Sequence, residues 1–235
     1  MASTGRMRSG GVRAPRHDRV DPQRLQSGLP GGSLDAPAGP ADLRPGDVLE
    51  RRDVGDLDVG GRVLTELDIE ECAIGVLRAD AADLRGLRIR DATIGVLDTP
   101  VLRAPGSIWR GVRVAAGRVG SVELHDAVLD DVRIVGAKLG FVDLRTSTIR
   151  DVTFEDCVID ELDLGSAQLE RIAFPGCRIR ELTASGARLR DVDLRGADIS
   201  VIADAAQLRG AVLDREQVLA MAAALARAVG IVVED

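Results

Sequence analysis

An apolar residue recurs at every fifth position of this chain from Val59 to Ile199, and no insertion breaks the frame. Thr99 is the one polar residue among these positions. A period of five matches neither the period of about 3.6 residues of an α-helix nor the period of about 2 of a single strand. The pattern therefore indicates a chain that turns a corner every five residues.

The neighbouring positions divide into an inward and an outward set. The position two residues before each central residue is mostly apolar or small, with Arg62 as its charged exception. The position directly after the central residue holds Gly, Pro and polar residues, and Val135 is its only large aliphatic. We expect the central residue and the residue two before it to point inward.

A longer repeat shows how many corners make one coil. The segment LDIEECAIGVLRADAADLRG, residues 67–86, aligns without gaps on LRIRDATIGVLDTPVLRAPG, residues 87–106. Multiples of the same shift relate two sets of corner residues: Asp131, Asp151 and Asp191, and Gly136, Gly176 and Gly196. Twenty residues, or four corners, are therefore predicted to form one coil.

Units such as VDLRG-ADISV, LDLGS-AQLER and AKLGF-VDLRT resemble the A(D/N)LxX consensus of the pentapeptide-repeat family, over about residues 57–213. The resemblance implies an all-β solenoid, a right-handed quadrilateral β-helix, assigned here to residues 46–213. At the usual strand separation of about 4.8 Å, about eight coils would make a rod about 40 Å long.

The chain departs from the family pattern at the position two before the centre, where large and small residues alternate. In the later half Val132 and Val152 alternate with Ala137 and Cys157, whereas the earlier half is out of phase. The phase slips near Pro100–Pro105. We expect there either a local bend or a change of faces within the same cylinder.

Residues 1–45 differ in composition from the repeats. They hold six of the nine prolines, with seven Arg against four Asp, so that the remaining residues carry the acidic excess of a chain with net charge −7. Such a segment buries too little apolar surface to offset its ordering entropy. It is predicted to be a disordered basic tail, and the alternatives are a leader, a linker, an over-extended start of the chain or a basic tether.

The frame slips by one residue after Ile199, where Ala206 and Leu208, then Ala211 and Leu213, resume the pattern. The segment DREQVLAMAAALARAVG in residues 214–235 then predicts one helix. Asp214 and Gln217 have capping-box spacing, Gly230 can end the helix, and an apolar stripe runs along it. The stripe consists of Val218, Met221, Leu225 and Val229. The helix is expected to cap the open end of the solenoid, to form a homodimer contact, or both.

The sequence predicts no catalytic, cofactor-binding or metal-binding residue, and hence no enzyme. His17 lies in the tail, and His125 takes an outward position where we expect a plain surface residue. Cys72, Cys157 and Cys177 are read as small buried residues without a disulfide. No apolar run is long enough to span a membrane, so a cytoplasmic location is expected.

The function expected from this architecture is that of a protein-interaction scaffold that binds neither nucleic acid nor membrane directly. The resemblance implies an alternative, since some pentapeptide-repeat proteins mimic DNA and bind type II topoisomerases such as DNA gyrase. The predicted row of Arg110, Arg150 and Arg190 weakens that alternative. The densest acidic group winds around one coil instead of following the rod: Asp151, Glu155, Asp156, Asp160, Glu161 and Asp163. A purely structural rod is a third hypothesis.

Overall fold

The computed structural model describes residues 42–203 and 205–233. The chain forms a parallel β-solenoid of about eight turns, followed by two C-terminal helices, which confirms the predicted fold class. Residues 1–41 of the predicted tail lie outside the described residues. Leu43 is buried in the first coil, so the core begins before the predicted boundary at residue 46.

Most of the described chain lies in short strands. The first eight are β1 Val48–Glu50, β2 Asp53–Asp58, β3 Asp68–Glu70, β4 Ala73–Arg78, β5 Arg88–Arg90, β6 Thr93–Arg103, β7 Ile108–Val114 and β8 Gly117–Glu123. The next nine are β9 Val128–Val135, β10 Ala137–Asp143, β11 Thr148–Glu155, β12 Val158–Asp163, β13 Gln168–Ala173, β14 Arg178–Thr183, β15 Arg188–Asp193, β16 Asp198–Ile202 and β17 Ala211–Val212.

Each strand pairs in parallel with the strand two further along the chain. The register joins residues twenty apart, as in Val48 with Asp68 and Lys138 with Val158. This confirms the predicted coil of twenty residues. Residues at intervals of twenty therefore form rows that run along the rod, each residue stacked on its counterpart in the next coil.

The inward rows form one continuous core. Most of the central residues and of those two before them are buried from Leu49 to Leu194, as in Leu64, Ile89 and Leu162. A few inward positions are only partly buried, among them Ile134, Ala187 and Leu189. Phe154 and Phe174 stack in one row with ring centroids 5.4 Å apart. Thr99, the polar exception, is 2% exposed and its hydroxyl donates to a backbone carbonyl at 3.1 Å, so its burial leaves no unpaired donor.

Many corners place the residue two after the central one at positive φ. Asp131 and Asp151 have φ of 53° and 52°, and Gly136 has φ of 60°. Gly has no Cβ to clash in this left-handed region, and Asp is among the other residues that tolerate it. This backbone requirement explains why Asp and Gly recur at multiples of twenty residues in the sequence.

A second form of corner lacks positive φ and brings successive coils unusually close. A Cβ on Gly95 would lie 2.6 Å from the carbonyl oxygen of Gly75. A Cβ on Gly120 would lie 2.7 Å from that of Pro100, and one on Gly140 would overlap the carbonyl of Gly120. These corners admit only glycine in the coils where the approach is tightest.

The second form of corner lies on one side of the solenoid in the earlier coils and on the neighbouring side in the later coils, and the change occurs within β6. Its glycines are Gly75 before this strand and Gly95 near its start, and Gly120 and Gly140 after it. The stacking register of twenty continues across β6, with Leu97 on Gly117 and Leu102 on Val122. Of the two alternatives for the phase slip, the structure therefore shows the change of faces within one stack.

The change of faces leaves a small defect in the core. Large Leu97 is followed in its row by Gly117 and Ala137. An apolar cavity of about 30 Å³ lies beside these residues, bordered also by Trp109 and Val122. The loss of side-chain volume in this row accounts for the space.

The C-terminal end of the solenoid follows the predicted slip. The register between β15 and β17 is nineteen residues, joining Val192 to Ala211. A 3₁₀ helix at Ala205–Leu208 precedes β17. Leu208 is buried as predicted, but Ala206 is exposed, so its predicted inward position is wrong. The 3₁₀ turn rotates Ala206 outward.

The predicted single helix is two helices, α1 Arg215–Ala220 and α2 Ala222–Ala228, which meet at Met221. The capping box between Asp214 and Gln217 is confirmed. After α2, Gly230 has φ of 83°, and the N–H of the next residue donates to the carbonyl of Ala226 at 2.9 Å. This bond, with that from Gly230 to Arg227, makes a Schellman ending at the predicted residue.

Gln217 also fastens α1 to the last coil. Its Nε2 donates to the carbonyls of Leu194 at 2.6 Å and Ala197 at 2.8 Å, which supports the capping hypothesis. The predicted stripe is only partly covered, because Met221 packs on the core while Val218 and Val229 are exposed. The homodimer predicted for this segment stays a prediction.

We expect Gly95→Ala to lower the free energy of unfolding by about 1–3 kcal/mol, because the new methyl group meets backbone and not a movable side chain. The control is Gly165→Ala, whose Cβ would meet only the side chains of Asp163 and Arg145. Urea denaturation followed by circular dichroism measures both. Equal stability of the two variants would contradict the account of the close corners.

Candidate functional site

The outward rows are the part of the molecule that is available to a partner. One row crosses the odd-numbered strands and mixes both charges along the rod: Glu50, Glu70, Arg90, Arg110, Asp130, Arg150, Glu170 and Arg190. The predicted row of Arg110, Arg150 and Arg190 is thus real, and acidic residues are interleaved with it.

Ion pairs join neighbouring coils along these rows. Arg51 approaches Glu71 at 3.0 Å, and Arg103 approaches Glu123 at 3.1 Å. Glu170 lies between two arginines of its own row, 3.3 Å from Arg150 and 3.6 Å from Arg190. Such exposed pairs each stabilise a fold by about 0–1 kcal/mol, and here they also largely neutralise the outward rows.

The densest acidic group lies around one coil, as the sequence predicts, and most of it is paired with other coils. Asp151 accepts from Arg171 at 2.6 Å, Glu155 accepts from Arg133 Nε at 2.9 Å, and Glu161 accepts from Arg180 at 2.8 Å. The next member, Asp163, lies 3.8 Å from Arg145. Asp156 and Asp160 form no ion pair among the described residues.

Sequence reasoning missed a local motif, Asp-Leu-Arg. In Asp143-Leu144-Arg145 the carboxylate accepts from the backbone N–H of Arg145 at 3.1 Å, from Nε at 2.8 Å and from Nη2 at 2.7 Å. The tripeptides at 83–85 and 193–195 form the same arrangement. The sequence does contain the signal, which is the repeated tripeptide Asp-Leu-Arg at a corner of the coil.

Asp143 is unusual because its residue is only 3% exposed. Burial alone would raise its pKa, but hydrogen bonds from the side chain and backbone of Arg145 outweigh burial and hold the pKa below its usual value. His125 Nδ1 lies 3.4 Å from the Asp143 carboxylate, and the histidine side chain is 37% exposed. The prediction of a plain surface His125 is therefore corrected: the ring lies half-buried against a carboxylate.

The cysteines are buried and free, as predicted. Cys157 and Cys177 lie in one inward row, and their thiols donate to the carbonyls of Ile134 at 3.5 Å and Phe154 at 3.3 Å. The hydrogen bond with Cys157 and burial raise the pKa of Cys177. Both thiols are buried in the core, out of reach of a reacting molecule, so these residues contribute packing.

Within residues 42–203 and 205–233, no group of three or more His, Cys, Asp or Glu side chains is placed to hold a metal ion. In the same part of the chain, no helix combines the length and apolar character needed to cross a bilayer. No protein-family model matches the sequence, and no curated protein matches it significantly.

We expect Asp143→Asn to lower the free energy of unfolding by about 2 kcal/mol at pH 7, since it removes a buried acceptor of charged hydrogen bonds. Because the folded pKa lies below the unfolded value of about 3.9, this contribution is present above that pH and disappears as the pH falls through the folded pKa. Urea denaturation at neutral and acidic pH measures the difference.

Asp160→Asn, at an exposed position of the acidic coil, is the matched control and should change stability little at either pH. A gap between wild type and Asp143→Asn that stays constant down to the most acidic pH would contradict the role assigned to the carboxylate.

Proposed function

We propose that this chain is a pentapeptide-repeat protein whose solenoid acts as a non-enzymatic protein-interaction scaffold. The register of twenty residues supports this proposal most directly, because it aligns outward side chains into straight rows on a stiff support. Membership of the family is supported by the quoted units and by coils whose inward positions recur every five residues.

The interior favours a structural role over a catalytic one. Its rows are apolar apart from a few buried hydroxyl residues such as Thr99 and Ser147. The cavity near Leu97 has a volume of about 30 Å³, room for no more than a few water molecules. General acid catalysis by a carboxylate needs a pocket that holds substrate and tunes the pKa of the acid. Among the described residues, the one nearly buried carboxylate is that of Asp143. Its hydrogen bonds with Arg145 already occupy it and hold its pKa below the usual value.

The alternative is a DNA mimic that binds DNA gyrase and protects or inhibits it. The acidic excess of the chain and its rod shape favour this function. A mimic of the DNA backbone needs a continuous series of unneutralised acids along one face. The row from Glu50 to Arg190 interleaves both signs, and its ion pairs cross the coils, which favours the scaffold.

A cytoplasmic location belongs to the same proposal. The three thiols at Cys72, Cys157 and Cys177 are free, which suits a reducing compartment. Partners are then sought among cytoplasmic proteins.

A supercoiling assay with purified gyrase separates the two functions. We expect no inhibition of supercoiling and no protection from a quinolone at about micromolar protein, a concentration at which specific complexes form. Inhibition or protection that disappears in a variant with Asp156→Lys and Asp160→Lys would favour the DNA mimic and contradict the scaffold proposal.

The scaffold itself is tested by affinity capture that compares wild type with a row variant, Arg110→Glu, Arg150→Glu and Arg190→Glu. At least one partner should be captured by wild type and not by a variant with charge reversals in one row. Variants with reversals in other rows should still capture that partner. Captured proteins that do not depend on any outward row would contradict a scaffold that binds through these rows.

A further inference from the structure

One outward face of the solenoid differs from the others. It comprises residues 95–101, 115–121 and 135–141, and we call it the glycine-edged face. Gly95 lies at one edge, and Gly120 and Gly140 lie at the other, where the coils approach too closely for a Cβ. Glycine therefore borders the middle of the face at these three positions, whereas Val135 and Phe141 lie at the edges of the coil that holds Lys138.

Two cations stand in the middle row of this face. Arg118 and Lys138 are exposed and are register neighbours in β8 and β10. Neither forms an ion pair or a side-chain hydrogen bond with any described residue. Among the described strands, no other register neighbours are both cationic and both without a carboxylate partner.

The adjacent row makes the contrast clear. Arg113 and Arg133 are also register neighbours, but Arg113 pairs with Asp131 at 2.9 Å and Arg133 donates to Glu155 at 2.9 Å. Like charges directly opposite each other in a sheet destabilise it. Two neighbouring cations without a carboxylate partner go against this preference, and such departures tend to occur at functional sites.

Acidic residues bound the patch at both ends. Asp98 precedes Arg118 in the middle row, and Asp156 and Asp160 flank the same row one coil after Lys138. The positive patch is therefore two coils deep, about 5 Å between the two Cα positions. This size suits a short run of carboxylates and disfavours a long polyanion such as a nucleic acid.

An apolar contact lies next to the cations. Phe141 is half-buried, whereas the other aromatic residues of the described chain belong to the core. It shares an edge row with Ser121 and Val101. A ligand that crosses this face can therefore combine charged contacts with one apolar side chain.

We propose that the glycine-edged face binds an extended acidic segment of a partner protein, whose carboxylates contact Arg118 and Lys138 while an apolar side chain packs on Phe141. Alternate side chains of an extended segment lie about 6.8 Å apart, within reach of two long flexible cationic side chains. This inference rests on the scaffold function proposed above and names the chemistry of the partner.

Fluorescence anisotropy at low salt tests the proposal, with a labelled peptide of alternating Glu and Gly as the probe. Wild type should bind the peptide, and Arg118→Glu with Lys138→Glu should weaken binding about tenfold or more. The matched control, Arg188→Glu with Arg209→Glu, reverses two other exposed and unpaired arginines and should leave binding nearly unchanged. Thermal melts confirm that both variants are folded.

Three outcomes would overturn the proposal: no binding by wild type, equal weakening in both variants, or a single-stranded DNA of equal charge binding more tightly at Arg118 and Lys138. Binding of the Glu–Gly peptide tests this face, whereas the row-dependent capture described above tests the scaffold function. Capture that persists in the Arg118→Glu and Lys138→Glu variant would reject this face while leaving the scaffold function in place.

Discussion

The hydrogen bonding of each coil to the next in a register of twenty residues is the constraint on which the rest of the structure depends. It places Leu64 over Leu84 inside the rod and Arg150 beside Glu170 outside it. Because each row repeats one environment, a residue type acceptable in one coil is acceptable in the next. The same register converts scattered surface charges into rows, so that pairing between coils determines the surface potential.

The close approach of successive coils at some corners is a second constraint, because only glycine leaves room for it. The close corners lie at Gly75 before β6, at Gly95 near its start, and at Gly120 and Gly140 after it. Changing sides within one unbroken register leaves the cavity beside Leu97 and produces a face with small edges. The proposed binding face and the packing defect thus have one origin in the exchange of corners.

Much of the fold could be predicted because the period of the sequence is the period of the structure. The failures occur where tertiary contacts override the local pattern: Leu43 is buried although its neighbours read as tail, and Ala206 turns outward with the 3₁₀ helix. The Ala-rich segment has no residue that predicts the break at Met221. Burial of Asp143 and the half-buried position of His125 depend on how Arg145 and the neighbouring coil lie against the Asp143 carboxylate, which the five-residue pattern does not contain.

Spin labels placed at Arg88→Cys and Arg188→Cys test the register most directly. Both positions lie in one outward row, joined step by step through Ile108, Val128, Thr148 and Gln168. Five coil spacings of about 4.8 Å place the two backbone positions about 24 Å apart. The distances between the labels should therefore form a narrow distribution centred near this value. A broad distribution, or a centre far from this value, would show that the stack bends or loses register at β6 and would contradict the account.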